Sequence, residues 1–250
     1  MTKETGKEFM KKTQYKFLGT SDQKEGKPQP PLELPYDKSK EIIELPSPEE
    51  ISFNEISLRE AIEQRQSVRK YSDKKLSLEE LSWLLWTTQG VKEVKKISAN
   101  YGVTLRNVPS AGARHAFETF LFINKVEKIK PGIYRYLAVE HKLVEFVSGK
   151  DVKGKVIEGC YGQRFVGTSA VTFMWVAIPY RMTWRYQERG YRYLHLDAGH
   201  VCQNLYLAAE TINCGVCAIA AYHDKKINEL LNLDGEQAFV IYIATSGKKE

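Results

Sequence analysis

Arg65, Ser67 and Arg69 stand at alternate positions in the run LREAIEQRQSVRKY, Leu58 to Tyr71. An extended backbone would turn these two forked cations and one hydroxyl to the same side. Such a set suits a phosphate, because guanidinium forks meet phosphate oxygens two at a time and a hydroxyl adds a further donor. Just upstream, Leu58, Ala61, Ile62 and Arg65 fall at i, i+3, i+4 and i+7, which lines them on one helical face and points that face into a core. Arg65 then closes an apolar stripe and needs an anion, since a partly buried charge without a partner costs several kcal/mol. Taken alone, the same pattern also describes arginines standing in solvent near a helix C-terminus, where they complement the macrodipole.

Other chemistry-bearing residues cluster further on. Pro109, Ser110, Ala111 and Gly112 remove bulk and offer bare backbone to something flat; a plain turn is the competing reading. Arg181, Arg185, Arg189 and Arg192 recur at four, four and three, among Tyr180, Trp184, Tyr186, Tyr191 and Tyr193. That is either a solvated, cation-π-stacked face or a wall for an anionic substrate. Cys214 and Cys217 close a helix and lead into a strand, the reverse of a thioredoxin-type pair, so they read as small residues packed at a turn. His195 and His200 lie on different helix faces and no cluster has zinc spacing, so no metal is expected. The chain has no GxGxxG, no Walker sequence and no GxSxG elbow.

The elements that must position these groups follow from periodicity. SLEELSWLLWTTQG is a helix with a Ser77/Glu80 capping box, a face of Leu81, Leu84, Leu85 and Thr88, and a stop at Gly90. Lys92 to His115 reads as a loop, FETFLFIN as a strand, and GIYRYLAVEHKLVEF as a hairpin. A short helix from Asp151 to Tyr161 precedes a central strand over Ser169 to Ile178, apolar on both faces. From Tyr180 to about Asn213 the pattern is helical, and Leu194, Ala198, Val201, Leu205, Ala208 and Ile212 make a heptad-like seam that fits a subunit interface as well as a core. GVCAIA, a helix from Asp224 to Leu231 and AFVIYIATSG close the chain. The fold class is α+β, a mixed sheet flanked by helices.

With 250 residues, 42% apolar content and both charge signs well represented, the chain is long enough for a large core and is neither disordered nor membrane-spanning. Its opening lacks a secretory signal and its four cysteines make no disulfide framework, so a cytoplasmic protein is expected. The net charge of +6 permits nucleic-acid binding without arguing for it. Residues 1–50, proline-bearing and aperiodic, read as an extended N-terminal arm, with the domain proper over 51–250.

From Leu58 to Gly247 the chain resembles the FMN-dependent nitroreductase family, and within it the SagB-type dehydrogenases. The resemblance is carried, in order, by RQSVRKY with LSLEELSWLLWTTQG, by PSAGARHAFE, by GIYRYLAVEHKLVE, by LDAGHVCQNLYLAAE and by CAIAAYHDKKINELLNLDG. It implies FMN held by Arg65, Gln66, Ser67 and Arg69, with Arg65 and Ser67 near the phosphate and Arg69 near the pyrimidine edge. It further implies Pro109, Ser110, Ala111 and Gly112 beside the ring, Ala220 and Ala221 giving backbone donors near N5, Gln163 at the ring edge and Lys248 at the phosphate. The family is generally homodimeric with flavin at the interface, which implies a long central helix there. NAD(P)H would serve as transient hydride donor to a nitro, quinone or similar acceptor in ping-pong fashion, with Arg185 and Arg189 toward substrate.

Two departures bear on the alternative, a peptide azoline dehydrogenase working with a partner enzyme. Where those enzymes have a Lys-Tyr pair this chain has Arg185-Tyr186, and arginine is no general base, leaving Tyr186 as the catalytic candidate. Where many nitroreductases have Glu-Gly it has Ala220-Ala221. A non-enzymatic polyanion-binding protein using the Arg181 to Arg192 face ranks third.

Overall fold

In the computed structural model, which describes residues 4–53, 55–99, 101–149 and 151–250, the N-terminal segment carries helix α1 (Thr5–Lys12) and strand β1 (Ile42–Glu44). Residues 1–3 of the expected arm lie outside the described residues. Reciprocal capping then starts two helices, Ser57 with Glu60 for α2 (Leu58–Gln64) and Ser77 with Glu80 for α3 (Leu78–Gln89). Strands β2 (Val91–Ser98), β3 (Tyr101–Arg106), β4 (Phe117–Ile123), β5 (Gly132–Leu137) and β6 (Lys142–Ser148) follow. Helices α4 (Val152–Gly159) and α5 (Arg164–Thr168) lead to β7 (Val171–Ala177), α6 (Pro179–Tyr186) and α7 (Gly190–Glu210). Strand β8 (Cys214–Ile219), helix α8 (Asp224–Leu230) and β9 (Phe239–Lys248) complete the order.

Seven strands form one sheet in the order β1-β6-β5-β4-β7-β9-β8, every ladder antiparallel. Among the described residues, parallel pairing enters only as the single pairs Ser67 with Val216 and Leu76 with Val126. Strand β7, interior between β4 and β9, alternates as a strand buried on both faces must: Phe173 and Trp175 join the α3 and α7 layer, Met174 and Val176 the α4 and α8 layer. Helices on both faces of the sheet make an α+β fold of three layers. Among the described residues no helix is long and apolar enough to cross a membrane.

Three expectations change, and the choice that the heptad-like seam left open is decided. Residues 92–98 and 101–106 are not a loop but most of the ribbon β2–β3, held by pairs such as Val94 with Thr104 and Lys95 with Val103; β2 is exposed nearly throughout, so its sequence shows no period-two alternation. The heptad-like seam faces the chain's own core, because Leu194, Ala198, Val201, Leu205, Ala208 and Ile212 are all buried against the sheet and α3. Conversely, Leu58 and Ile62 do not point inward: they are 67% and 54% exposed, with Ala61 alone of that stripe fully buried. The helical stretch from Pro179 to Glu210 also bends at Gln187, whose φ is 50°.

The segment before β1 is tied down by polar bonds, with Leu34 packed on the apolar layer beneath. Glu118, buried in β4, pairs with Arg135 and Arg181, and its Oε1 accepts from the Leu34 backbone at 2.9 Å. Arg181 and Arg135 in turn donate to the carbonyls of Pro31 at 2.7 Å and Pro35 at 2.9 Å. Trp184 donates to Lys27 O at 3.1 Å, and Gly19 to the side chain of Gln187 at 2.9 Å.

His115, buried behind the same layer, has its pKa pushed down to about 3 by burial, with Arg106 and Arg114 adding repulsion. Its unfolded value is about 6.5. Above that pH both states hold it neutral; below it the unfolded chain binds the proton first, so stability falls as pH drops from about 6.5 toward 3. At pH 5 this residue should have removed about 2 kcal/mol relative to pH 8. Thermal melts of the His115→Asn variant, whose amide tolerates the φ of 42°, should therefore show a flatter acid limb than the parent; equal slopes would refute the assignment.

Candidate functional site

The chain leaves α2 at Arg65 and runs extended along the free edge of β8. Ser67 pairs with Val216, and the Val68 amide donates to Val216 O at 2.9 Å. Val68 turns under the sheet so closely that a Cβ on Gly215 would lie 2.4 Å from its Cβ, so only glycine fits at 215. Arg65, Ser67 and Arg69 are left on the other side, with Ser67 and Arg69 exposed and Arg65 half-buried. Neither arginine has an ion-pair partner among the described residues. Gln66 is exposed on the same turn. Tyr206 of α7 sits beneath: the Arg65 guanidinium lies 5.3 Å from its ring centroid, and its hydroxyl is 3.0 Å from Ser67 Oγ. Past β8, Ala220 and Ala221 are exposed, and Gln163 donates to the Ala221 carbonyl at 2.9 Å.

Pro109 to Gly112 form a second cluster elsewhere. Ser110 donates to Asp197 Oδ2 at 2.6 Å and the Ala111 amide to Oδ1 at 3.2 Å, which anchors the turn on α7. Burial holds the Asp197 carboxyl above the ordinary carboxylate range, and these two donors oppose that shift. Gly112, with φ 59°, lies under Tyr186: a Cβ there would be 2.3 Å from the phenol oxygen. Arg185 joins the cluster, donating to Tyr101 Oη at 3.1 Å. Burial raises the Tyr186 pKa and the adjacent Arg185 opposes this, so the group is a protonated phenol at neutral pH.

Asp197 and Tyr206 are nine residues apart on one helix. That spacing is about 13 Å of rise and about two and a half turns, so the two clusters occupy opposite sides of α7. The face of α7 between them carries exposed Leu196, Gly199, His200 and Gln203.

The nitroreductase family model matches residues 62–248. The chain belongs to the nitroreductase family. It is similar to a protein of Methanocaldococcus jannaschii that carries a provisional nitroreductase name, at 30% identity over 191 residues, 76% of this chain and 89% of that one. The trifolitoxin operon protein TfxC of Rhizobium leguminosarum bv. trifolii is 29% identical over 192 residues, 73% of this chain and 53% of that protein, in keeping with the SagB-type branch. Among solved structures, a provisional nitroreductase from Anabaena variabilis aligns with TM-score 0.64 and 30% identity, covering 77% of this chain and 38% of the longer one. Membership points to an oxidoreductase.

Two candidate residues of this nitroreductase are turned to other work. The Lys248 ammonium is held by Glu80 and by the Ile212 carbonyl at 2.7 Å, so it closes the junction of β9 with α3 instead of standing open to a phosphate. Arg189 stacks on Tyr15 at 4.3 Å and donates to Tyr193 Oη at 2.9 Å and Thr13 O at 3.0 Å, so the N-terminal segment, not a substrate, takes its charge. Arg192 likewise bonds Thr13 and Met10, and Arg181 is buried on Glu118. The expected basic face is therefore consumed internally, with Arg185 held on the Tyr101 hydroxyl, which leaves little for a polyanion. The helical spacing located these arginines but not the segment that meets them.

Sequence reasoning missed Asp197, Tyr206 and Tyr101. A lone carboxylate among apolar and aromatic residues in LHLDAGH was a usable signal for Asp197, since a buried acid implies donors. Tyr206 and Tyr101 carried none.

Proposed function

We propose that this nitroreductase binds FMN and acts as an FMN-dependent oxidoreductase, taking a hydride from NAD(P)H and passing electrons to a nitro, quinone or similar acceptor by a ping-pong mechanism. The carrying observation is the strip Arg65-Ser67-Arg69 along the edge of β8, two guanidiniums with no ion-pair partner among the described residues and an exposed serine turned to one side. That donor set fits a phosphomonoester dianion. Bound there, FMN would supply reversible two-electron chemistry that no side chain offers.

The chain's own part is positional. Arg65 and Ser67 hold the phosphate, Arg69 and Gln163 lie toward the ring edge, and the backbone at Ala220 and Ala221 offers donors where reduced flavin carries charge. Pro109 to Gly112, on the far side of α7, reach a ligand in this strip only from a second copy. A homodimer completing each site across the exposed faces of α2 and α7 follows, with Leu58, Ile62 and Leu196 among its contacts. Sedimentation giving a monomer with FMN present would remove this part.

The first test is the visible spectrum of the purified protein before and after anaerobic NADH or NADPH. Flavin bands that bleach support the reading, and protein that takes up no FMN overturns it.

A second reading, a peptide azoline dehydrogenase acting with a partner enzyme, is favoured by one observation. The phenol of Tyr186 lies against Gly112 and beside Arg185, an acid placed at the bare turn and oriented by a cation. The similarity to a trifolitoxin operon protein is in keeping with it. Under this reading Tyr186→Phe should lower turnover of an azoline-containing peptide by about 100-fold or more, the size of a general acid-base contribution, with bound flavin unchanged. Full turnover in the variant would exclude the role.

A further inference from the structure

The hydrogen bonds around Tyr206 have a direction. The Ala218 amide, on the edge strand β8, donates to Tyr206 Oη at 2.9 Å. A phenol that accepts this bond keeps one proton to give, and among the described residues its acceptor is Ser67 Oγ at 3.0 Å. Ser67, occupied as an acceptor on its inner side, then has its own proton free on the outer side, where it is exposed between Arg65 and Arg69. The alternative, Ser67 donating inward, would leave the phenol proton without a partner at a site only 8% exposed, which costs more than leaving an exposed hydroxyl to water.

We infer that Tyr206 is a positioning residue that orients Ser67 as an outward donor, through the relay Ala218 N–H to Tyr206 O–H to Ser67 O–H to an anion. This rests on the FMN reading above and deepens it by assigning how the phosphate is recognised. Bonds in series polarise one another, so the last donor is strengthened by the two behind it. The Tyr206 ring, stacked under the Arg65 guanidinium, also fixes the cation beside that hydroxyl. One buried phenol thereby aligns both phosphate donors, Arg65 and Ser67, and the backbone amide of the strand is its anchor. The arrangement is silent toward any ligand part other than the anion.

The test is titration of flavin-stripped protein with FMN and with riboflavin, which lacks the phosphate, following flavin fluorescence. Tyr206→Phe keeps the ring and Arg65 stacking but removes the relay proton. It should weaken FMN binding about tenfold, shift the phosphorus NMR resonance of bound FMN, and leave riboflavin affinity within about twofold. Ser67→Ala should weaken FMN similarly, and the double variant should be no weaker than Ser67→Ala alone, because the second residue acts through the first. FMN binding unchanged in Tyr206→Phe, equal loss for FMN and riboflavin in a variant that melts like the parent, or additive losses in the double variant would each overturn the inference. Parent protein that binds no FMN would overturn the FMN reading itself, and this inference with it. A thermal melt of Tyr206→Phe separates lost fold from lost recognition, since only lost fold would take riboflavin binding with it.

Discussion

Replacing Glu118 by glutamine is expected to destabilise the protein by about 3–5 kcal/mol, the cost of breaking a buried ion pair from one side. The substitution keeps the shape of the side chain but removes the only carboxylate among the described residues paired with Arg135 and Arg181, which are 6% and 1% exposed. Two guanidiniums would then repel each other in a layer already holding Arg106, whose own pKa burial lowers to about 10. For a chain of this size the melting temperature should fall by roughly 10 °C. The loss should also free the N-terminal segment, since Leu34 bonds to Glu118 while Pro31 and Pro35 bond to the two arginines. Limited proteolysis should accordingly cut between residues 13 and 36 well before the melt. A melting temperature within about 2 °C of the parent, with no early cleavage, would show that the cluster contributes little.

Removal of Arg65 should have the largest effect on ligand binding. Its guanidinium has no ion-pair partner among the described residues and stands beside the Ser67 hydroxyl, so its charge is available to an incoming phosphate. A charged hydrogen bond contributes about 2–3 kcal/mol, so Arg65→Ala should raise the Kd for FMN roughly 30- to 100-fold. Stability should change little, because no carboxylate loses its partner. Arg65→Lys should recover only part of the affinity, since a point charge cannot replace a planar fork. Both variants are read by FMN titration; an unchanged Kd in Arg65→Ala would move the phosphate away from this strip and undo the assignment of Ser67 and Arg69 with it.

Several parts of this protein were legible in local sequence because they rest on short-range rules. The Ser77/Glu80 box predicts the start of α3 through bonds made within three residues. The continuous apolar run at Val171–Ala177 predicts a strand with no solvent face. Alternation alone puts Arg65, Ser67 and Arg69 on one side, wherever that side faces. Tertiary structure decided what each face meets. The seam from Leu194 to Ile212 announces burial equally for a core and for an interface, and the sheet claims it, leaving the opposite face of α7 and the Leu58 and Ile62 side of α2 uncovered. Lys248 and Arg189 are cations in sequence, but Glu80 and the Tyr15 segment are near them only in the fold. The same holds for Tyr206 and Asp197: each is one residue in a helix until a strand edge or a loop brings donors to it. Periodicity states that a group must find a partner, and only the juxtaposition of distant segments selects which one.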